Sequence, residues 1–170
     1  MIDADCNAHD APGRLFETAD HHATGQQCLK VRRGFAAGEV VTTFAVASRY
    51  AVPARMTMQV SERDHIRLEP AALALTNHGC DPNVAFDVEG QRVVALRDIA
   101  AGDELTYFYP ATEWEMAEPF ECTCGAARCL GTVGGAAMAP AEMLAGQVLA
   151  PHVRRLLASQ KKLESQDGLS

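Results

Sequence analysis

Three stretches of the chain concentrate side chains that can do chemistry. The first, Asn77-His78-Gly79-Cys80-Asp81-Pro82-Asn83, crowds amide, imidazole, thiol and carboxylate groups between an apolar run, Ala71 to Leu75, and a strand-like run, Val84 to Val88. Polar groups so near a core each need a partner. Asn, Asp and Pro also build turns, so a plain turn is the competing reading. The second stretch, Glu104-Leu105-Thr106-Tyr107-Phe108-Tyr109, holds two of the three tyrosines at i and i+2. If extended, it puts both side chains on one face, although packing is the ordinary role of such a pair. The third is Cys122-x-Cys124-x4-Cys129, with Gly125 and Gly131 in and beside it. Zinc takes four soft ligands in a tetrahedron, with sulfur about 2.3 Å away. The trio supplies three. On spacing alone the fourth could be Cys80, Cys28, Cys6 or a histidine.

The elements that must position these groups are mostly strands. Strand-like stretches run over Leu29 to Val31, Val40 to Phe44, Met56 to Val60 and His65 to Leu68. Val84-Phe86-Val88 alternates with polar or small residues, turns at Glu89-Gly90 and returns through Arg92 to Leu96, which predicts a hairpin. Leu105 to Tyr107 predicts a further strand. Helical signal before residue 110 is scarce. Glu113 to Glu118 suits one turn closed by Pro119, and Gly131 to Ala139 reads as a linker. Pro140 suits the start of a helix from Ala141 toward Ala150, which Pro151 interrupts or kinks. Val153, Leu156, Leu157 and Leu163 continue an apolar stripe at helical spacing. An internal echo links Phe35-Ala-Ala-Gly38-Glu39 with Ile99-Ala-Ala-Gly102-Asp103, and predicts two similar turns. His21-His22 and His65 read as surface residues, and Cys6 and Cys28 as free thiols.

Composition bounds the classes of function. The 170 residues carry 15 Lys+Arg against 22 Asp+Glu, a formal charge of -7, and 48% are apolar. That suits one globular domain. An acidic chain is a poor general nucleic-acid binder, so direct nucleic-acid binding is not expected, whereas its field favours basic partners. Six cysteines are too sparse for a disulfide scaffold. The opening MIDADCNAHD shows no signal peptide, and the longest apolar run is far short of a membrane span. The expected location is cytoplasmic, with export as an effector left open.

Taken in order, N-H-x-C-x-P-N at Asn77 to Asn83, G-D-E-L-x-Y-x-Y at Gly102 to Tyr109, and C-x-C-x4-C at Cys122 to Cys129 resemble the signature of SET-domain protein lysine methyltransferases with a post-SET zinc segment. The resemblance covers about residues 25 to 134. It implies a mainly β fold, the SET-domain (β-clip) fold of small curled sheets with a pseudoknot, plus a C-terminal helical tail. The domains would be a flexible tail over 1–13, the SET domain over 14–110, the post-SET zinc segment over 111–134, and a linker and helix over 135–170. The donor would be S-adenosylmethionine, and the partner a basic protein or Lys-containing peptide, bound on opposite sides of a narrow channel. Tyr109 matches the catalytic tyrosine. Tyr107 matches the position that tunes how many methyl groups are added, here one or two. Asn77, His78 and Tyr109 match cofactor-binding positions, and Gln27, Cys28 and Leu29 fall where the backbone approaches the cofactor. Cys80 matches the ligand that joins Cys122, Cys124 and Cys129 on a structural zinc ion.

Three departures accompany the resemblance. Gln26-Gln27-Cys28 stands where the family usually has G-x-G, Phe108 where it usually has Asp, and no aromatic follows shortly after Cys129. Trp114 or Phe120 could replace that aromatic, though core packing is the ordinary role of both. The missing glycines motivate an alternative from another class, a non-catalytic, zinc-stabilised module that binds a basic peptide. A further alternative keeps the transfer chemistry and moves the acceptor to a small amine.

Overall fold

A computed structural model describes residues 12–21 and 24–167. Cys6, His22 and the N-terminal tail through residue 11 lie outside the described residues. A short helix α1 (Pro12–Leu15) leads into β1 (Phe16–Asp20), which pairs antiparallel with β2 (Gln27–Val31), Phe16 opposite Val31. In β1 only Phe16 is buried, so its sequence carries no period-2 signal and only pairing with β2 reveals it.

Next come β3 (Val40–Thr43), β4 (Ala45–Tyr50), β5 (Met58–Gln59) and β6 (His65–Glu69). A 3-10 turn over Ala71–Leu75 precedes the two-residue strand β7 (Asn77–His78). The expected hairpin is present as β8 (Val84–Asp87) and β9 (Arg92–Ala95), with Phe86 opposite Val93. One three-stranded sheet has the order β3-β9-β8 and another β4-β6-β5. The strand β10 (Thr106–Tyr107) lies parallel to β7. A 3-10 turn at Tyr109–Ala111 follows, then the small antiparallel pair β11 (Phe120–Glu121) and β12 (Thr132–Val133).

The two echoed turns face each other. Phe35 and Ile99 exchange both backbone hydrogen bonds at 2.9 Å. Gly38 and Gly102 take φ values of +83° and +89°, a region costly for residues bearing a Cβ. In each copy a carboxylate three residues on accepts a backbone N–H, Glu39 from Ala36 and Asp103 from Ala100.

The main core joins the sheets through Leu29, Val31, Ile66, Leu73, Val84, Val93 and Leu105, all nearly or fully buried. A second cluster of Phe108, Ala111, Ala136, Leu144, Ala150 and Val153 seats the C-terminal part. Helix α2 (Ala141–Leu144) stops six residues short of the expected Ala150, because Ala145 turns extended and Gly146 takes φ +84°. Pro151 begins α3 (Pro151–Asp167) rather than kinking a helix; a first-turn N–H has no helical partner, so proline costs nothing there. Glu113 to Glu118 form no helical turn, since Glu113 is drawn into the interior. His65 is buried, not at the surface. Among the described residues no helix is long and apolar enough to cross a membrane.

Candidate functional site

The site is built where two distant segments cross. Asn77 pairs with Thr106 and His78 with Tyr107. The Gly79 N–H donates to the Tyr107 carbonyl at 3.0 Å. A Cβ on Gly79 would come within 2.9 Å of the Thr106 Cβ, so this approach requires glycine. Asn83 ties the crossing from its far side: its Nδ2 donates to the Glu104 carbonyl at 2.8 Å, and its Oδ1 accepts the Thr106 N–H at 2.8 Å. Arg97 holds the intervening loop through the Asp81 carboxylate and the Asp81 and Pro82 carbonyls.

His78 links the crossing to the cysteines. Its Nδ1 accepts the Tyr109 N–H at 3.2 Å, which leaves the proton on Nε2, 3.2 Å from Cys80 Sγ. Burial pushes the imidazole down to about 4, so it stays neutral at pH 7. The Asn77 amide donates to the Glu104 carboxylate at 3.0 Å and to the Gln27 carbonyl at 3.3 Å, joining β7 to the start of β2.

Beside the crossing lies a cavity of about 950 Å³, room for a sizeable ligand and a second side chain. The rings of Tyr107 and Tyr109 meet at 4.6 Å between centroids. The Tyr109 hydroxyl donates to the Thr76 carbonyl at 3.2 Å. Burial, then the nearby Glu113, pushes Tyr109 up to about 12. Burial, helped by Tyr109 and Glu113, also raises Tyr107. Neither phenol ionises at neutral pH, so both act as hydroxyls.

Glu113 lines the same cavity yet is only 5% exposed. Its Oε1 accepts the Gln59 N–H at 2.8 Å and the Thr112 hydroxyl at 3.2 Å. Burial outweighs these donors and pushes the carboxyl up to about 7. Thr76, also on the cavity wall, keeps a buried hydroxyl with no hydrogen-bond partner among the described residues.

The sulfurs of Cys80, Cys122, Cys124 and Cys129 all lie within 4.8 Å of one another. Two of the separations, Cys80–Cys122 and Cys124–Cys129, are 3.9 Å. Sulfurs placed tetrahedrally about 2.3 Å from an ion sit about 3.8 Å apart, so this donor set fits zinc. Backbone N–H groups of Leu130 and Gly131 point at the Cys80 and Cys129 sulfurs, at 3.3 and 3.5 Å, outer-shell support typical of thiolate sites. Cys28 is excluded from this group by its place in the core, where its side chain is fully buried.

Of the residues singled out in the sequence, Gln27, Asn77, His78, Cys80, Tyr107, Tyr109, Cys122 and Cys124 line the cavity. Cys129 sits with the cysteine group. Cys28 and Leu29 are fully buried and are not on the cavity wall. Of the two spare aromatics, Trp114 packs in the second apolar cluster. Phe120, against the core-packing expectation, is 38% exposed, lines the cavity and lies about 6 Å from the His78 and Tyr109 rings. His21 also reaches the cavity, 3.7 Å from Glu104, rather than pointing into solvent. Sequence reading missed Glu113 and Thr76. A carboxylate four residues after Tyr109 was visible, but nothing local distinguishes it from a surface residue.

Comparison with known proteins places these features. The SET domain family model matches residues 14–110. Methyltransferase flvH of Aspergillus flavus is 44% identical over 91 residues, covering 52% of this chain and 51% of that protein. The H3 lysine-4 specific histone-lysine N-methyltransferase of Saccharomyces cerevisiae is 47% identical over 62 residues, covering 32% of this chain and 6% of that protein. Among solved structures, KRYPTONITE in complex with mCHG DNA and SAH aligns with a TM-score of 0.54 at 22% identity, over 70% of this chain and 29% of that one. That last likeness is one of fold. The chain thus spans about half the length of flvH and a small part of the yeast enzyme.

Proposed function

The chain belongs to the SET domain family, and from that premise we propose that it is an S-adenosylmethionine-dependent protein lysine N-methyltransferase. It adds one or two methyl groups to a lysine of a basic protein or peptide. The observation that carries this reading is the convergence on one cavity of Asn77, His78, Tyr107 and Tyr109, from segments about thirty residues apart. The names of the relatives, a methyltransferase and a histone-lysine N-methyltransferase, support it.

The donor supplies an electrophilic methyl group. Asn77, His78, Gln27 and Phe120 would hold it: the Asn77 and Gln27 amides offer polar contacts, and the His78 and Phe120 rings offer apolar faces. Much of the barrier to such a displacement can be met by alignment, worth about 7–11 kcal/mol. The Tyr109 hydroxyl, held by Thr76, orients the reacting groups without giving up its proton. The Tyr107 ring packs against the Tyr109 ring, 4.6 Å between centroids, and limits the room for further methyl groups. The acceptor must be a neutral amine, although a free lysine titrates near about 10.4. Walls of Tyr107, Phe86, Leu73 and Met58 disfavour its charged form. Cys80, Cys122, Cys124 and Cys129 would hold one structural zinc ion, pinning the 120–133 segment against His78. The missing glycines are no barrier in this reading, since Asn77 already reaches the Gln27 backbone.

The test is calorimetric titration of zinc-loaded protein with S-adenosylmethionine, followed by mass spectrometry of a Lys-rich peptide after incubation with both. Saturable binding and mass gains of one or two methyl groups are expected. Zinc-loaded, folded protein that binds no cofactor with or without the peptide would overturn the reading in favour of the non-catalytic module.

A further inference from the structure

The methyl-transfer reading leaves one group on the cavity wall without a role. Glu113 is a carboxylate almost wholly withdrawn from water. Its Oε1 is saturated by the Gln59 N–H and the Thr112 hydroxyl, whereas Oε2 accepts no hydrogen bond among the described residues. No Lys or Arg pairs with it there either. The groups facing it are the Tyr107 and Tyr109 phenols from β10 and the turn after it, and the Gln59 backbone from β5. His65 stands opposite Gln59 on β6, and His152 of α3 hydrogen-bonds the Thr112 carbonyl at 2.7 Å. Both histidines are held towards neutrality, chiefly by burial. An unpaired buried carboxylate is costly and is retained where it meets a cation. Glu113, Tyr107 and Tyr109 line the same cavity, so an amine entering it meets the carboxylate and both phenols.

We propose, resting on the methyl-transfer reading, that Glu113 is a further catalytic residue: its Oε2 receives the acceptor ammonium and removes one proton from it. The N–H bond breaks, an O–H bond forms at Oε2, and the electron pair stays on nitrogen for the attack. After product leaves, Glu113 returns its proton to water. The carboxyl titrates near 7, where a base can both take a proton and be regenerated. The class of acceptor follows: a primary or secondary alkyl amine that arrives charged. An amide nitrogen or a hydroxyl would leave the carboxylate unpaired.

Rates of methyl transfer to a synthetic Lys-rich peptide and to free L-lysine, from pH 6 to 10.5, test this for the wild type and Glu113→Gln. The glutamine keeps an oxygen for Gln59 and Thr112. For the wild type, kcat/KM should rise to a plateau above about pH 7. For the variant, kcat at pH 7.5 should fall about 10²–10⁴-fold, and kcat/KM should keep rising tenfold per pH unit towards about 10. Apart from activity, calorimetry at pH 7.5 should show the variant binding the peptide at least tenfold more weakly, with cofactor affinity unchanged. A wild-type profile that climbs without a plateau overturns the inference even if the variant does not fold. Equal rates, profiles and peptide affinities for both proteins also overturn it, and leave the methyl-transfer reading standing. Wild type that binds neither cofactor nor acceptor overturns both.

Discussion

Replacing Glu113 by glutamine should stabilise the protein above neutral pH, although it removes a native charge. The carboxyl ordinarily titrates at 4.5 and is pushed up to about 7 in the fold, chiefly by burial. In the unfolded chain it ionises first, so stability falls as pH rises from about 4.5 to about 7, then stays level. At about 1.4 kcal/mol for each tenfold change in proton affinity, the loss reaches about 3 kcal/mol. Glutamine cannot ionise, and its oxygen can accept both donors that Glu113 Oε1 accepts. For a chain of this size about 3 kcal/mol corresponds to about 6–12 °C in melting temperature. Thermal unfolding of zinc-loaded wild type and Glu113→Gln, followed by circular dichroism at pH 5 and pH 8.5, measures it. The variant should gain little at pH 5 and about 6–12 °C at pH 8.5. The buried histidines, common to both proteins, cancel in the difference. An unchanged or lower melting temperature at pH 8.5 would refute the argument that this carboxylate is buried at a cost.

Other consequences are open to direct measurement. Asn77→Ala loses two hydrogen bonds that join β7 to Gln27 and Glu104, and should weaken cofactor binding at least tenfold by calorimetry while the protein stays folded. Tyr109→Phe removes only the hydroxyl bonded to Thr76; cofactor affinity should persist and kcat should fall about tenfold or more, since one positioned hydrogen bond contributes roughly 1.5 kcal/mol. Metal analysis should find one zinc per chain. Cys122→Ser should lower that content sharply and cut the melting temperature, whereas Cys28→Ser, whose sulfur sits in the core away from the group, should keep the zinc.

What was legible in the sequence was local. The alternation from Val84 and the turn at Glu89-Gly90 specify a hairpin by themselves, and the structure has it at β8 and β9. The two echoed turns carry their own glycines and capping carboxylates, and both form. The cysteine trio and the tyrosine pair announce their chemistry by residue type and close spacing. Elements held by distant partners were not legible. The strand β1 exists because β2 lies beside it, and β7 and β10 are two residues long, too short for any periodicity to show. Helix α2 ends where Ala145 turns extended and Gly146 takes a positive φ, short of the expected end at Ala150.

The same division runs through the site. Sequence alone determined which side chains this protein has for chemistry: a thiol cluster, an Asn-His pair and two phenols. Spacing alone left the fourth ligand open among Cys80, Cys28, Cys6 and the histidines, and only the resemblance carried by Asn77 to Asn83 singled out Cys80. Only the tertiary structure put Cys80 3.9 Å from Cys122 and left Cys28 buried away from the cysteine group. Only the tertiary structure moved Glu113 from an expected helical turn to the cavity wall, and Phe120 from an expected core position to the cavity lining. The physical reason is common to all of these. Spacing along the chain encodes backbone preference and which face a side chain takes within its own element. Burial, and with it the protonation of Glu113 and His78, is set by whatever distant segment packs against that face.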